Sequence, residues 1–151
     1  GGSMDGHVLA TQALFAAAKA EFRQLSFFYF HNCLYEEVWT DNARRLTQRI
    51  PTWDILRRFG PDYRAIFVGD AAMSPYEIDS PGGSVEHWNP ESGRTWLTRA
   101  AQQWPRHLWI NPMEEPQWGY TRSTQMIRTL FNGQMVPLTL AGLAKGIKTL
   151  R

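Results

Sequence analysis

The chain has 151 residues, 43% of them hydrophobic and 20% charged, which suits one folded domain with a single core and excludes disorder of the whole. The formal net charge of +2 comes from scattered basic residues, without the one-faced Lys/Arg stripe of a nucleic-acid binder. No window reaches the roughly 18 consecutive apolar residues of a membrane span, no signal peptide opens the chain, and the lone Cys33 suits a reducing compartment, so a cytoplasmic protein without a membrane span is expected.

Val8, Phe15, Ala18 and Phe22 recur at steps of 7, 3 and 4 and predict an amphipathic helix over 7–23. The aromatic run 26–30 and the β-prone run 33–39 flank His31-Asn32, a pair that tolerates a tight turn, and predict a β-hairpin. Residues 41–49 are polar and arginine-rich, a loop or short exposed helix. Thr52 then stands as the N-cap of a helix over 53–59 that Gly60-Pro61 ends. Further on, three short apolar runs (65–68, 108–110 and 135–136) end in polar residues or proline, and helical stretches are predicted over 95–104, 123–131 and 138–150. Strands alternating with helices predict an α/β fold, a doubly wound and mostly parallel sheet flanked by helices with one antiparallel edge hairpin, whose ligands bind at the carboxyl ends of the strands. The stretch 79–93, with Pro81-Gly82-Gly83-Ser84 and Asn89-Pro90, is a long loop of the kind that is often functional; Gly82-Gly83-Ser84 lacks the lysine of a P-loop and reads as flexible.

Candidate chemistry is sparse. Asp70 follows an apolar strand and precedes the small residues Ala71-Ala72, so another group can approach it closely, or it serves as a helix cap. His7, His31, His87 and His107 have no metal-ligand spacing and read as structural or solvated. Cys33 has no activating neighbour, and Glu36-Glu37 and Glu114-Glu115 are adjacent pairs that extended chain points apart. The opening Gly1-Gly2-Ser3 runs towards a helix: it reads either as an appended tag with Met4 the natural start, or as a turn presenting N–H groups and a hydroxyl at a helix N-terminus.

Several stretches together resemble a von Willebrand factor A (VWA) domain of the bacterial CoxE-like group, over nearly the whole chain. The more specific ones are Tyr29-Phe30-His31-Asn32, Asp70-Ala71-Ala72-Met73-Ser74-Pro75-Tyr76-Glu77 and Trp118-Gly119-Tyr120-Thr121. In that family an Asp-x-Ser-x-Ser motif, often Asp-x-Gly-x-Ser, supplies hydroxyls to a divalent metal at the metal-ion-dependent adhesion site (MIDAS). Gly1-Gly2-Ser3 resembles its last three positions, Thr52 the family's second motif, and Asp70 the aspartate closing its fourth strand. The resemblance thus implies Ser3, Thr52 and Asp70 as ligands of Mg²⁺ or Mn²⁺. Binding should be weak because the leading aspartate would lie before Gly1, and the central first strand of a Rossmann-like sheet of order 3-2-1-4-5-6 would be absent with it. A single VWA-like domain over 1–151, N-terminally truncated and prone to self-associate or to take a strand in trans, is the expectation.

The function so implied is a non-enzymatic protein-interaction module that works with a MoxR-type AAA+ ATPase in metalloenzyme maturation or complex assembly. The alternative is a Mg²⁺-dependent phosphoester hydrolase using Asp70 with Asp54 or Asp79, which would need more carboxylates than the sequence offers. A nucleic-acid binder using the Arg44 to Arg58 region runs against the charge balance.

Overall fold

The computed structural model describes residues 21–151, with Gln12, Ala16 and Lys19 before them. Gly1-Gly2-Ser3 and most of the helix expected over 7–23 lie outside the described residues. The described part is a mixed α/β structure. A short antiparallel pair joins β1 (Glu37–Trp39) to β2 (Arg49–Pro51), and a parallel sheet carries β3 (Ala65–Val68), β4 (His107–Asn111) and β5 (Met135–Pro137) in that order. Helix α1 (Thr52–Arg58) follows β2, α2 (Pro75–Asp79) and α3 (Gly93–Gln103) lie between β3 and β4, α4 (Arg122–Leu130) joins β4 to β5, and α5 (Leu140–Leu150) comes last.

The centre of the parallel sheet is β4, whose five residues are all buried, as a strand covered on both faces must be. One face carries Phe67, Trp109 and Met135. Phe67 stacks on Trp109 with ring centroids 5.6 Å apart and planes within 4°, and Phe131 meets both edge-on at 5.0 and 5.4 Å. Trp96 and Leu97 of α3 and Ile127 of α4 belong to this core. The opposite face, Leu108, Ile110 and Val136 with Ile66 and Val68 beside them, packs on Leu143 and Leu150 of α5. There Gly146 is needed for contact: a Cβ on it would stand 2.5 Å from Leu108 Cδ2. Strand β3 is only half-buried throughout, and among the described residues no strand pairs with its outer edge.

Helix starts follow local chemistry. Ser74 and Glu77 form a capping box on α2, Ser92 Oγ accepts from Thr95 N at the head of α3, and Thr139 Oγ1 accepts from Gly142 N at the head of α5.

Three expectations are corrected. Runs 26–30 and 33–39 do not form a hairpin: they meet at the single Tyr29–Trp39 bridge, and β1 takes its ladder from Arg49–Pro51. Between the two runs Asn32 turns the chain at φ +56°, and Cys33, Leu34 and Tyr35 dive into the core instead of pairing. Thr52 is not the cap of its helix. Pro51 holds that position while still paired with Glu37, and Thr52, the first helical residue, donates from Oγ1 to the Tyr35 carbonyl at 2.5 Å. The Gly82-Gly83 segment is packed, not loose. Gly82 has φ +68° under the Trp88 ring, and a Cβ on Gly83 would stand 1.9 Å from the Tyr76 carbonyl oxygen.

Candidate functional site at the carboxyl ends of the strands

The loop leaving β3 is built to hold Asp70 in one place. Gly69 continues the parallel pairing by donating to the Ile110 carbonyl at 3.1 Å, and its own carbonyl accepts from Trp109 Nε1 at 2.8 Å. A Cβ at Gly69 would press on the Trp109 ring at 3.1 Å, so a small residue belongs there. Asp70 is 7% exposed, and its Oδ1 accepts from Ala72 N at 3.0 Å, closing a turn over Ala71 at φ +57°. Helix α4 secures that turn: Ser123 Oγ donates to the Ala71 carbonyl at 2.7 Å and accepts from Met73 N at 3.0 Å, while Thr124 Oγ1 donates to the same carbonyl at 3.2 Å.

The loop leaving β4 supplies the other wall. Buried Asn111 ends the strand and accepts from Met113 N at 2.9 Å, the Met113 carbonyl accepts from Trp118 Nε1 at 2.8 Å, and the Trp118 carbonyl accepts from Gln125 Nε2 at 2.9 Å. A 3-10 turn over Glu115–Tyr120 follows, with Trp118 buried and Tyr120 90% exposed. Between the two loops lies a cavity of about 290 Å³ lined by Asp70, Gln117, Trp118, Tyr120 and Thr124 among others. Among the described residues Asp70 is the only carboxylate in the lining, and the other polar side chains are an amide, hydroxyls and the Trp118 indole. Such oxygen donors suit a hard cation that keeps several waters.

Of the three residues expected at a metal, Asp70 lines this cavity, Thr52 is buried against the Tyr35 carbonyl and is not part of the lining, and Ser3 lies outside the described residues. Among the described residues no three His, Cys, Asp or Glu side chains group closely enough to hold a metal by themselves. Asp54 and Asp79, the partners a hydrolase would need, are exposed and do not line the cavity, and Asp79 is paired with Arg94 at 2.6 Å.

A second polar cluster, missed in the sequence, joins the 84–89 loop to residues 31–44. Arg44 pairs with Glu86 at 2.5 Å and holds its carboxyl below the usual glutamate range, and His31 lies 3.7 Å from the same carboxylate. Burial nevertheless pushes the His31 imidazole below its ordinary value, outweighing Glu86. Beside it Glu77, 3% exposed, accepts from Asn32 Nδ2 at 2.9 Å and from Ser74 N at 3.0 Å. Burial pushes the Cys33 thiol up to about 12, which makes it a packing residue and not a nucleophile. Apart from the local Ser74–Glu77 bond, these contacts join residues more than 40 positions apart, and only their proximity to turn-forming Asn32 and Gly82-Gly83 could have flagged them.

No family model, no curated protein and no solved structure matches this chain. Among the described residues no helix is long and apolar enough to cross a membrane.

Proposed function

We propose that the chain is a VWA-type protein-interaction module of the CoxE-like kind, whose Asp70 end binds a divalent metal and through it a protein partner, without catalysing a reaction there. The observation that carries this reading is the position of Asp70: it leaves the carboxyl end of a parallel strand in a turn held by α4, and among the described residues it is the single carboxylate lining an oxygen-bearing cavity. Helices against both faces of the parallel sheet support a doubly wound arrangement, in which β3, β4 and β5 would take the family's fourth, fifth and sixth places. Bound Mg²⁺ or Mn²⁺ would supply positive charge with an open coordination position. Asp70 would hold the ion; the resemblance also implies neutral oxygens from Ser3 and Thr52, of which Thr52 donates to the Tyr35 carbonyl outside the cavity lining. Tyr120, exposed at the cavity mouth, offers a partner an aromatic contact surface.

The partner the resemblance implies is a MoxR-type AAA+ ATPase. A pull-down of that ATPase with the purified chain, run with Mg²⁺, with EDTA and with Asp70→Ala, tests the reading. Capture with Mg²⁺ alone supports it, and equal capture under all three conditions contradicts it. A phosphoester hydrolase is less well supported, because Asp54 and Asp79 do not line the cavity with Asp70.

A further inference from the structure

Away from Asp70, the 80–92 loop carries a hydrogen-bonded chain of a different chemistry. His87 Nε2 lies 2.6 Å from Glu36 Oε1, and His87 Nδ1 lies 3.2 Å from Ser84 Oγ. A carboxylate only accepts, so Nε2 carries a proton, and in the neutral tautomer the Nδ1 lone pair faces the Ser84 hydroxyl. We propose that Ser84, His87 and Glu36 form a Ser-His-Glu acyl-transfer site that hydrolyses small activated carboxylic esters.

The surroundings favour such a site. Glu36 Oε2 is buried with no hydrogen-bond partner among the described residues, so this carboxylate directs its one strong contact to His87. The Tyr35 ring meets the imidazole edge-on at 5.4 Å and fixes its plane. Ser84 Oγ accepts from Glu86 N at 3.3 Å, which leaves its own proton for Nδ1 or for the neighbouring Tyr35 phenol oxygen. The loop is rigid: the fully buried Asn89 accepts from Ser84 N through Oδ1 at 2.9 Å, accepts from Gly82 N through its carbonyl at 2.8 Å, and donates from Nδ2 to the Ser80 and Glu91 carbonyls. Val85, directly after the nucleophile, makes no hydrogen bond among the described residues, so its N–H can serve a developing oxyanion. Val85 and Trp88, 68% and 73% exposed, adjoin Ser84 and His87 in sequence and offer apolar surface for an acyl or aryl group.

The chemistry balances without a cofactor. Ser84 Oγ forms a bond to the ester carbonyl carbon while its proton passes to His87 Nδ1, and Glu36 holds the resulting imidazolium through Nε2–H. Collapse of the tetrahedral adduct breaks the bond to the leaving alcohol, which takes the proton from Nδ1. Water then attacks the acyl carbon and gives a proton to Nδ1, and Ser84 Oγ departs and recovers it. The net reaction is ester plus water to acid plus alcohol. Ser84 and His87 are the catalytic residues, and Glu36 positions His87.

The test treats the full chain with a fluorophosphonate probe, maps the adduct by peptide mass spectrometry, and follows 4-nitrophenyl acetate hydrolysis in parallel. The adduct is expected on Ser84, and Ser84→Ala and His87→Ala should each lower turnover about 100-fold or more, as loss of a nucleophile or general base does. Glu36→Gln should lower turnover and also move its pH profile, which a purely structural role would not do. Probe on another residue, no adduct at all, or parent-level turnover by a folded Ser84→Ala chain would overturn the proposal. Because the adduct is mapped on the parent chain, the result does not depend on any variant folding. The reaction should be indifferent to EDTA, so it stands or falls apart from the Asp70 reading.

Discussion

Asn32 Nδ2 donates to Glu77 Oε1 at 2.9 Å across 45 positions of sequence, while the other oxygen of that buried carboxylate accepts from Ser74 N at the head of α2. One side chain therefore caps a helix and anchors the turn that sends Cys33, Leu34 and Tyr35 into the core.

Asn32→Ala should cost about 2–4 kcal/mol, since it removes a hydrogen bond to a buried charge and places alanine at φ +56°. Asn32→Gly should cost less, because glycine tolerates that φ and loses only the hydrogen bond. Urea unfolding of both variants checks this, and equal costs would show that the backbone contributes nothing.

Gly93, the first residue of α3, lies against Cys33: a Cβ there would stand 2.4 Å from Sγ and 2.9 Å from the Glu77 carbonyl oxygen. Gly93→Ala should destabilise by about 1–3 kcal/mol despite alanine's better helix propensity, because the core must shift to admit the methyl group. The double variant Gly93→Ala/Cys33→Ala should recover part of that loss. Denaturant midpoints of the single and double variants decide it.

The strands of the parallel sheet were legible because runs such as Ala65–Val68 are short, apolar and bounded by glycine, proline or polar breakers, and the later helices followed from their apolar spacing. Asp70 was legible for a related reason: it is the first acidic residue after such a run. The aromatic run 26–30 was misread because its β propensity equals that of true strands, and long-range packing of Cys33–Tyr35 decided the pairing. The Ser84, His87 and Glu36 cluster was not legible, since His87 and Glu36 lie 51 positions apart and neither belongs to a recognisable spacing.

Acid should destabilise the fold in two stages. The His31 imidazole is held below its ordinary value by burial, so below about pH 6.5 the unfolded chain takes up a proton more readily than the folded one, and stability falls as pH falls through that window. Glu86 is held low by Arg44, so its contribution is present above its ordinary pKa and is lost as pH drops below about 4.5. Melting temperatures of the parent, His31→Gln and Glu86→Gln across this range test the assignment. His31→Gln should flatten the upper stage and Glu86→Gln the lower, whereas two unchanged profiles would place the acid sensitivity elsewhere.

The most direct test of the metal reading is calorimetric titration of Mg²⁺ or Mn²⁺ into the parent chain and into Asp70→Ala, each followed by a thermal melt. Asp70 is the only carboxylate lining the cavity among the described residues, so the parent should bind weakly and saturably and the variant not at all. Loss of the turn-closing bond to Ala72 N, roughly 1 kcal/mol, should by itself lower the variant's melting temperature by about 2–4 °C. Equal binding by both chains, or no binding by either, would contradict the metal site, and a collapse of the variant's melting temperature would show that Asp70 serves the fold.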